Sequence, residues 1–182
     1  MSKGTAKERL LHDPVAGKSG SKLGVLAGGF FQVAYVTPDL DKFAATFNEK
    51  LGVDRFYVIR DAQVTDQTYR GEPCDARQDL AFGYAGDLQF EIIQVLSGES
   101  TYSEFLGSHP EGGIHHTGVL VDDYDETVAQ LSQSFSLAQT GRVGETRFGY
   151  FDTKPFIGAY VEVLQLGDDF VQLFEHLRTQ DF

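Results

Sequence analysis

Tryptophan is absent from these 182 residues, and phenylalanine (15) and tyrosine (8) supply the aromatic bulk instead. Cysteine occurs once, as Cys74, which excludes an intrachain disulfide and fits a reducing compartment. Long apolar runs are missing as well. The stretch from Tyr160 to Leu164 is short and holds Glu162, so nothing approaches the roughly 20 residues that a membrane-spanning helix needs. Basic residues are scarce, 15 against 27 acidic ones, for a net charge of -12. Nucleic-acid binding needs many Lys and Arg contacts to phosphate, so neither nucleic acid nor membrane is expected as a partner. The acidity reads as a solubility feature. At the N-terminus Lys3, Lys7 and Arg9 are followed by Leu10 and Leu11 and then at once by His12 and Asp13, which is not the pattern of a signal peptide. The expectation is a cytoplasmic protein that handles a small molecule.

What is present is a repeat. The segment QVAYVTPDLD at 32–41 is followed, 84 positions later, by HTGVLVDDYD at 116–125, which aligns Asp39 with Asp123 and Asp41 with Asp125. Each copy ends on Glu-apolar-apolar-Gln, EIIQ at 91–94 and EVLQ at 162–165, now offset by 71, so the second copy reads as 13 residues shorter in its middle strands. Within the first copy a strand over 30–36 stops at Thr37-Pro38. A helix follows over about 39–51, with Phe43, Phe47 and Leu51 on one stripe and Gly52 as its stop. Three extended segments complete it, at about 55–60, about 67–85 with Pro73 as a candidate break, and 88–95. The order is βαβββ. The predicted organisation is a flexible Lys/Gly/Ser-rich extension over 1–27, a first module over 28–96, and a linker over 97–113 with a short helix N-capped by Ser100. A second module follows over 114–166, then an amphipathic helix over 167–182 marked by Phe170, Leu173, Phe174 and Leu177.

Strand parity places the candidate chemistry, because successive side chains alternate between faces. Gln32 shares a face with Ala34 and Val36, Glu91 with Gln89 and Ile93, His116 with Gly118 and Leu120, and Glu162 with Tyr160 and Leu164. A carboxylate among apolar neighbours in a strand is costly unless paired or bound to metal, and here two stand at equivalent points of a repeat. Two Glu, one His and one Gln amide oxygen suit a hard or borderline divalent metal. His115 is expected to point to the opposite face of a regular strand and to serve packing or hydrogen bonding. Glu72, in the segment YRGEP at 69–73, is a candidate second acid/base, although Gly71 and Pro73 equally describe an ordinary turn. Cys74 reads as a spectator, and Arg55, Arg70, Arg77, Arg142 and Arg147 as surface cations.

The stretches QVAYVTPDLD (32–41), FEIIQVLSG (90–98), EGGIHHTGVLVDD (111–123) and GAYVEVL (158–164) together resemble the vicinal-oxygen-chelate superfamily, over about residues 30–166. That group includes glyoxalase I, methylmalonyl-CoA epimerase, extradiol dioxygenases, and fosfomycin-resistance and bleomycin-binding proteins. The resemblance implies an α+β fold, with two tandem βαβββ modules forming a curled mixed sheet around a metal cavity. It implies metal ligands at Gln32, Glu91, His116 and Glu162, one divalent ion per chain (zinc, nickel, cobalt, manganese or iron) and a homodimer. The text from Leu88 to Leu120 is nearest the epimerase-like branch, and the ligand set nearest glyoxalase I. Extradiol dioxygenases hold iron with two His and one Glu, whereas Gln32 stands at the first His position. The common Asp-Pro-x-Gly turn before the last strand is replaced by DTKPFIG (152–158). The implied activity is isomerisation, epimerisation or a lyase step on a small carbonyl or acyl-thioester through a metal-stabilised enolate, with Glu91 or Glu162, or else Glu72, moving the proton. The alternatives are an iron-dependent ring-cleaving dioxygenase and a binding protein without turnover.

Overall fold

The computed structural model describes residues 30–53 and 55–179; the extension expected over 1–27 lies outside them. Among these residues the strands form one ten-stranded curled sheet. Its middle is built from the parts that repeat. In the first half, β1 (Gln32–Thr37) leads to α1 (Leu40–Leu51), and β2 (Tyr57–Ile59), β5 (Arg77–Ala85) and β6 (Leu88–Ser97) follow. In the second half, β7 (Gly113–Leu120) leads to α3 (Tyr124–Leu131), then β8 (Leu137–Val143), β9 (Thr146–Phe151) and β10 (Tyr160–Gln165). Each half sets its last strand parallel to its first, β6 beside β1 and β10 beside β7, and β1 meets β7 antiparallel at the centre.

The repeated residues do the same physical work twice. Asp39 accepts a hydrogen bond from the Lys42 N–H at 3.0 Å and caps α1, and Asp123 accepts from the Glu126 N–H at 2.9 Å and caps α3. Gln94, at the end of the first Glu-x-x-Gln, accepts from the Leu40 N–H at 2.7 Å. Gln165, at the end of the second, donates to the Asp122 carbonyl at 2.8 Å. Both glutamines therefore pin the start of their own module's helix to the strand beside it. Gly52 closes α1 in the left-handed region at φ 70°.

Parity then sorts the two faces. Ile92 and Ala81 pack under α1 with Leu40, and Val163 and Phe151 pack under α3 with Tyr124 and Leu131. The opposite, inward face carries the largest apolar cluster, including Val36, Phe82, Ile93, Phe148, Tyr160 and Leu164. Two helices cover that inward face: α2 (Thr101–Ser108), N-capped by Ser100, contributes Tyr102, and α5 (Asp168–Thr179) contributes Phe170, Val171 and Phe174. A single turn, α4 (Lys154–Ile157), precedes β10. Among the described residues no helix is long and apolar enough to cross a membrane.

The extended segment expected over about 67–85 is broken after Pro73, and a second time at Arg70-Gly71. It forms three strands: β3 (Thr65–Tyr69), β4 (Glu72–Pro73) and β5. The hairpin β3–β4 leaves the first half altogether and pairs with the edge strand β8 of the second half, Thr68 opposite Thr140 and Tyr69 opposite Gln139. Its turn residues Arg70 and Gly71 both have positive φ, 51° and 88°, the combination a two-residue turn between twisted strands requires. The length difference between the copies is thus an insertion in the first, used to bridge the second. β8 and β9 are joined directly through Gly144 and Glu145.

Candidate metal centre

Four neighbouring strands bring the polar candidates together on the inward face. One rung across β6, β1, β7 and β10 reads Gln89, Gln32, Gly118, Glu162; the next reads Glu91, Ala34, His116, Tyr160. The small residues Gly118 and Ala34 sit between the larger ones, so the polar side chains can lean toward each other. A Cβ on Gly118 would lie 2.6 Å from Gln32 Oε1, which shows how closely the Gln32 side chain lies over that position.

His116 Nε2 lies 3.3 Å from Glu91 Oε2 and 3.2 Å from Glu162 Oε2, and all three side chains are buried. One ligand atom from each of these residues falls within 4.8 Å of the other two. His116 Nε2 and Glu162 Oε2 are nevertheless buried atoms without a hydrogen-bond partner. Gln32 Oε1 is a third. Its amide is held from the other side: Gln32 Nε2 donates to Gln89 Oε1 at 2.6 Å, and Gln89 Nε2 donates to the Tyr84 hydroxyl at 2.7 Å. Buried polar atoms of a folded protein are nearly always satisfied, so three orphaned donor atoms beside Glu91 at one place fit a bound cation. Two carboxylates, an imidazole and an amide oxygen are a donor set for a divalent ion of hard or borderline character.

The electrostatics agree with that fit. Burial pushes the Glu91 carboxyl above the usual carboxylate range, with the Glu162 charge adding to the effect and His116 opposing it. Burial alone would lower the His116 imidazole, but the Glu162 and Glu91 carboxylates outweigh it and lift it to about 9. Without a cation, a proton on His116 is the positive charge between the two acids.

His115 does not point to the opposite face as expected of a regular strand. Ala34 pairs with His116 while Tyr35 pairs with Ile114, so His115 is an extra residue in a β-bulge, and alternation fails there. Both histidines turn inward: His115 Nδ1 lies 3.0 Å from His116 Nδ1, and its ring packs among Tyr102, Phe105, Tyr150 and Tyr160. Burial and the neighbouring His116 hold His115 well below its ordinary pKa. A neutral His115 accepts the His116 Nδ1 proton, which aims Nε2 at the carboxylates, as a second partner behind a metal-binding histidine commonly does.

A cavity of about 40 Å³ adjoins the cluster, and Gln32, Glu91 and Glu162 line it. Tyr102 and Tyr150 line it too, with their hydroxyls 2.6 Å apart, and the Tyr150 ring stands 4.7 Å from that of His116. Sequence reasoning missed both tyrosines, Gln89's role and the inward turn of His115. Gln89 was legible through parity with Glu91; Tyr150 was not, because it is set by its pairing with Glu162 across β9 and β10. Glu72 is not brought to the cluster. It stands exposed on β4 opposite Tyr69, because the inserted hairpin carries it to the far edge of the sheet. Cys74 is half-buried with only a weak contact to Gln67. Arg70, Arg77 and Arg147 are paired with Glu104, Asp61 and Asp125.

Comparison with known proteins adds the family. A model of the Glyoxalase/Bleomycin resistance protein/Dioxygenase superfamily matches residues 31–150. The human mitochondrial methylmalonyl-CoA epimerase is 28% identical over 119 residues, 64% of this chain. The match spans only 61% of that enzyme's length. Two solved structures share the fold. One is methylmalonyl-CoA epimerase from Mycobacterium tuberculosis, with TM-score 0.57 and 20% identity over 80% of this chain and 92% of the other. The second is the hypothetical protein BH1468 from Bacillus halodurans, with TM-score 0.56 and 14% identity over 76% and 94%. With two thirds of its length matched and the paired modules in place, this chain belongs to the glyoxalase/bleomycin resistance/dioxygenase superfamily.

Proposed function

We propose that this chain is an isomerase or epimerase, or an enzyme of a related lyase step, that depends on one divalent metal held by Gln32, Glu91, His116 and Glu162. The observation that carries the reading is the convergence of three buried atoms without a hydrogen-bond partner, Gln32 Oε1, His116 Nε2 and Glu162 Oε2, beside Glu91 at one cavity. A divalent ion bound there supplies Lewis-acid polarisation of a substrate oxygen. The chain's own groups supply the rest. Glu91 and Glu162 both line the cavity, so either can reach a proton on a substrate carbon there. Gln89 and His115 hold Gln32 and His116 in orientation. The apolar cavity wall and the cover of α2 and α5 exclude water.

The donor set speaks against a ring-cleaving oxygenase. Non-haem iron oxygenases use two His and one carboxylate, whereas among the described residues His116 is the one histidine of the cluster and His115 faces His116. The names of the relatives make a 2-substituted acyl-thioester one substrate class to test, and α-hydroxy-ketones a second. The experiment is anaerobic incubation of metal-loaded protein with both panels in deuterated water. Deuterium incorporation next to the carbonyl supports the reading. Turnover only with oxygen and ferrous iron, and no deuterium, would assign the oxygenase instead. Tight binding with neither would assign a binding protein. The family resemblance also leads us to expect a homodimer, which sedimentation velocity would test.

A further inference from the structure

The cavity beside Glu91 and Glu162 is bounded on its far side by the C-terminal helix. Phe170 and Phe174 of α5 enter the concave face and pack edge-on and tilted against Phe82 of β5, with ring centroids at 6.1 and 5.2 Å. The helix is tied at both ends. The Gly167 N–H donates to the Thr146 hydroxyl at 2.9 Å just before it starts, and Arg178 pairs with Asp87 at 3.0 Å near its end. It is therefore a wall of the site. The space it leaves is about 40 Å³, small beside the roughly 300–1,000 Å³ of ordinary ligand pockets. The charge of the wall is as one-sided as its polarity. Among the described residues that line this cavity, the only charged side chains are Glu91 and Glu162, and no Lys or Arg is present. A carboxylate carried into the apolar part of the cavity, away from the metal ligands, would be desolvated with no Lys or Arg among these lining residues to pair with it.

We propose that Phe170 and Phe174 are specificity-determining residues that restrict this site to a small molecule whose substituent is short, apolar and uncharged, and that coenzyme A thioesters are excluded. This rests on the metal-site reading above and selects between its two substrate classes.

The test uses ligand binding, so it does not require the reaction to be known. Full-length protein is loaded with cobalt(II), and its visible spectrum is titrated with hydroxamates, which present two adjacent oxygens. The panel is acetohydroxamate, butanohydroxamate, octanohydroxamate and succinic monohydroxamate, the last close to butanohydroxamate in length but ending in a carboxylate. Wild type is expected to bind the two short neutral members, and to bind the succinic one at least about tenfold more weakly than butanohydroxamate. Octanohydroxamate is expected to bind at least about tenfold more weakly than acetohydroxamate, and to recover most of that loss in Phe170→Ala and Phe174→Ala, where the wall is cut back. Phe174→Leu serves as the milder variant should the alanine forms fail to fold. Equal affinity for the succinic and butanoic members would overturn the charge restriction. Equal affinity of wild type for the octanoic and acetic members would overturn the role of α5. Absence of any cobalt spectrum would instead refute the underlying metal reading, an outcome distinct from both.

Discussion

Replacing Gly118 with alanine tests whether the two rungs of the candidate site are held as described. The residue lies between Gln32 and Glu162 in the sheet, and its missing side chain is the space that Gln32 occupies. A Cβ there would stand 2.6 Å from Gln32 Oε1, 3.0 Å from Gln32 Cβ and 3.0 Å from Phe31 Cε1, and Cβ contacts below 3.0 Å essentially do not occur. Phe31 is a buried ring with little freedom, so Gln32 must turn away. Turning it breaks the 2.6 Å bond to Gln89 and removes Oε1 from the cluster. Overpacking costs about 1–3 kcal/mol and a buried hydrogen bond about 1 kcal/mol, so Gly118→Ala should lose about 2–4 kcal/mol of unfolding free energy. Metal affinity should fall by about 10–100-fold, the scale seen when support of a metal ligand is lost. Gly107→Ala is the control. Gly107 lies in α2 with nothing within 4 Å of an added Cβ, so this change should stabilise by about 0.5–1 kcal/mol and leave metal binding alone. Urea unfolding of the metal-free proteins and zinc titration with a competing chelator read both quantities. Wild-type stability and wild-type affinity in Gly118→Ala would refute the placement of Gln32 over that glycine.

Glu162→Ala should strip the bound metal measured by elemental analysis, whereas Glu72→Gln should leave metal content unchanged, because Glu72 stands exposed on the β3–β4 hairpin. Metal uptake must displace the proton that the carboxylates hold on His116 with a pKa of about 9. One ion bound at pH 7–8 should therefore release about one proton, and affinity should rise roughly tenfold per pH unit until about pH 9. Calorimetry in buffers of different ionisation enthalpy reads the proton, and a pH-independent affinity would contradict it. Asp39→Ala and Asp123→Ala should each cost about 1 kcal/mol of stability and little metal affinity, since each removes one helix cap and nothing at the cluster.

The parts of this molecule that were legible in its sequence are those governed by local rules. Asp39 and Asp123 could be aligned because a helix N-cap needs a short acceptor at one position, and both modules use it. The inward direction of Glu91, His116 and Glu162 followed from period-two alternation, which β6 and β10 obey. Alternation fails where the backbone departs from regularity, and the bulge at His115 left no mark in the residue types around it. In the extended segment at 67–85 a break near Pro73 was legible, but the hairpin at 65–73 was not, because its partner β8 lies about 70 residues away and is chosen by tertiary geometry. Glu72 was carried from the site for the same reason. The amphipathic pattern of α5 was visible in Phe170, Leu173, Phe174 and Leu177, but a pattern tells that a face is buried and not against what. That the face closes the cavity emerges only when Phe170 and Phe174 meet Phe82.

The central claim is that these side chains hold one divalent ion. Its most direct test is an anomalous difference map, collected at the cobalt absorption edge, from crystals of the protein soaked in cobalt(II). The account predicts one strong peak per chain, within coordination distance of Gln32 Oε1, His116 Nε2 and carboxylate oxygens of Glu91 and Glu162. A map with no peak among these four residues, or with its only peak on surface carboxylates, would contradict it.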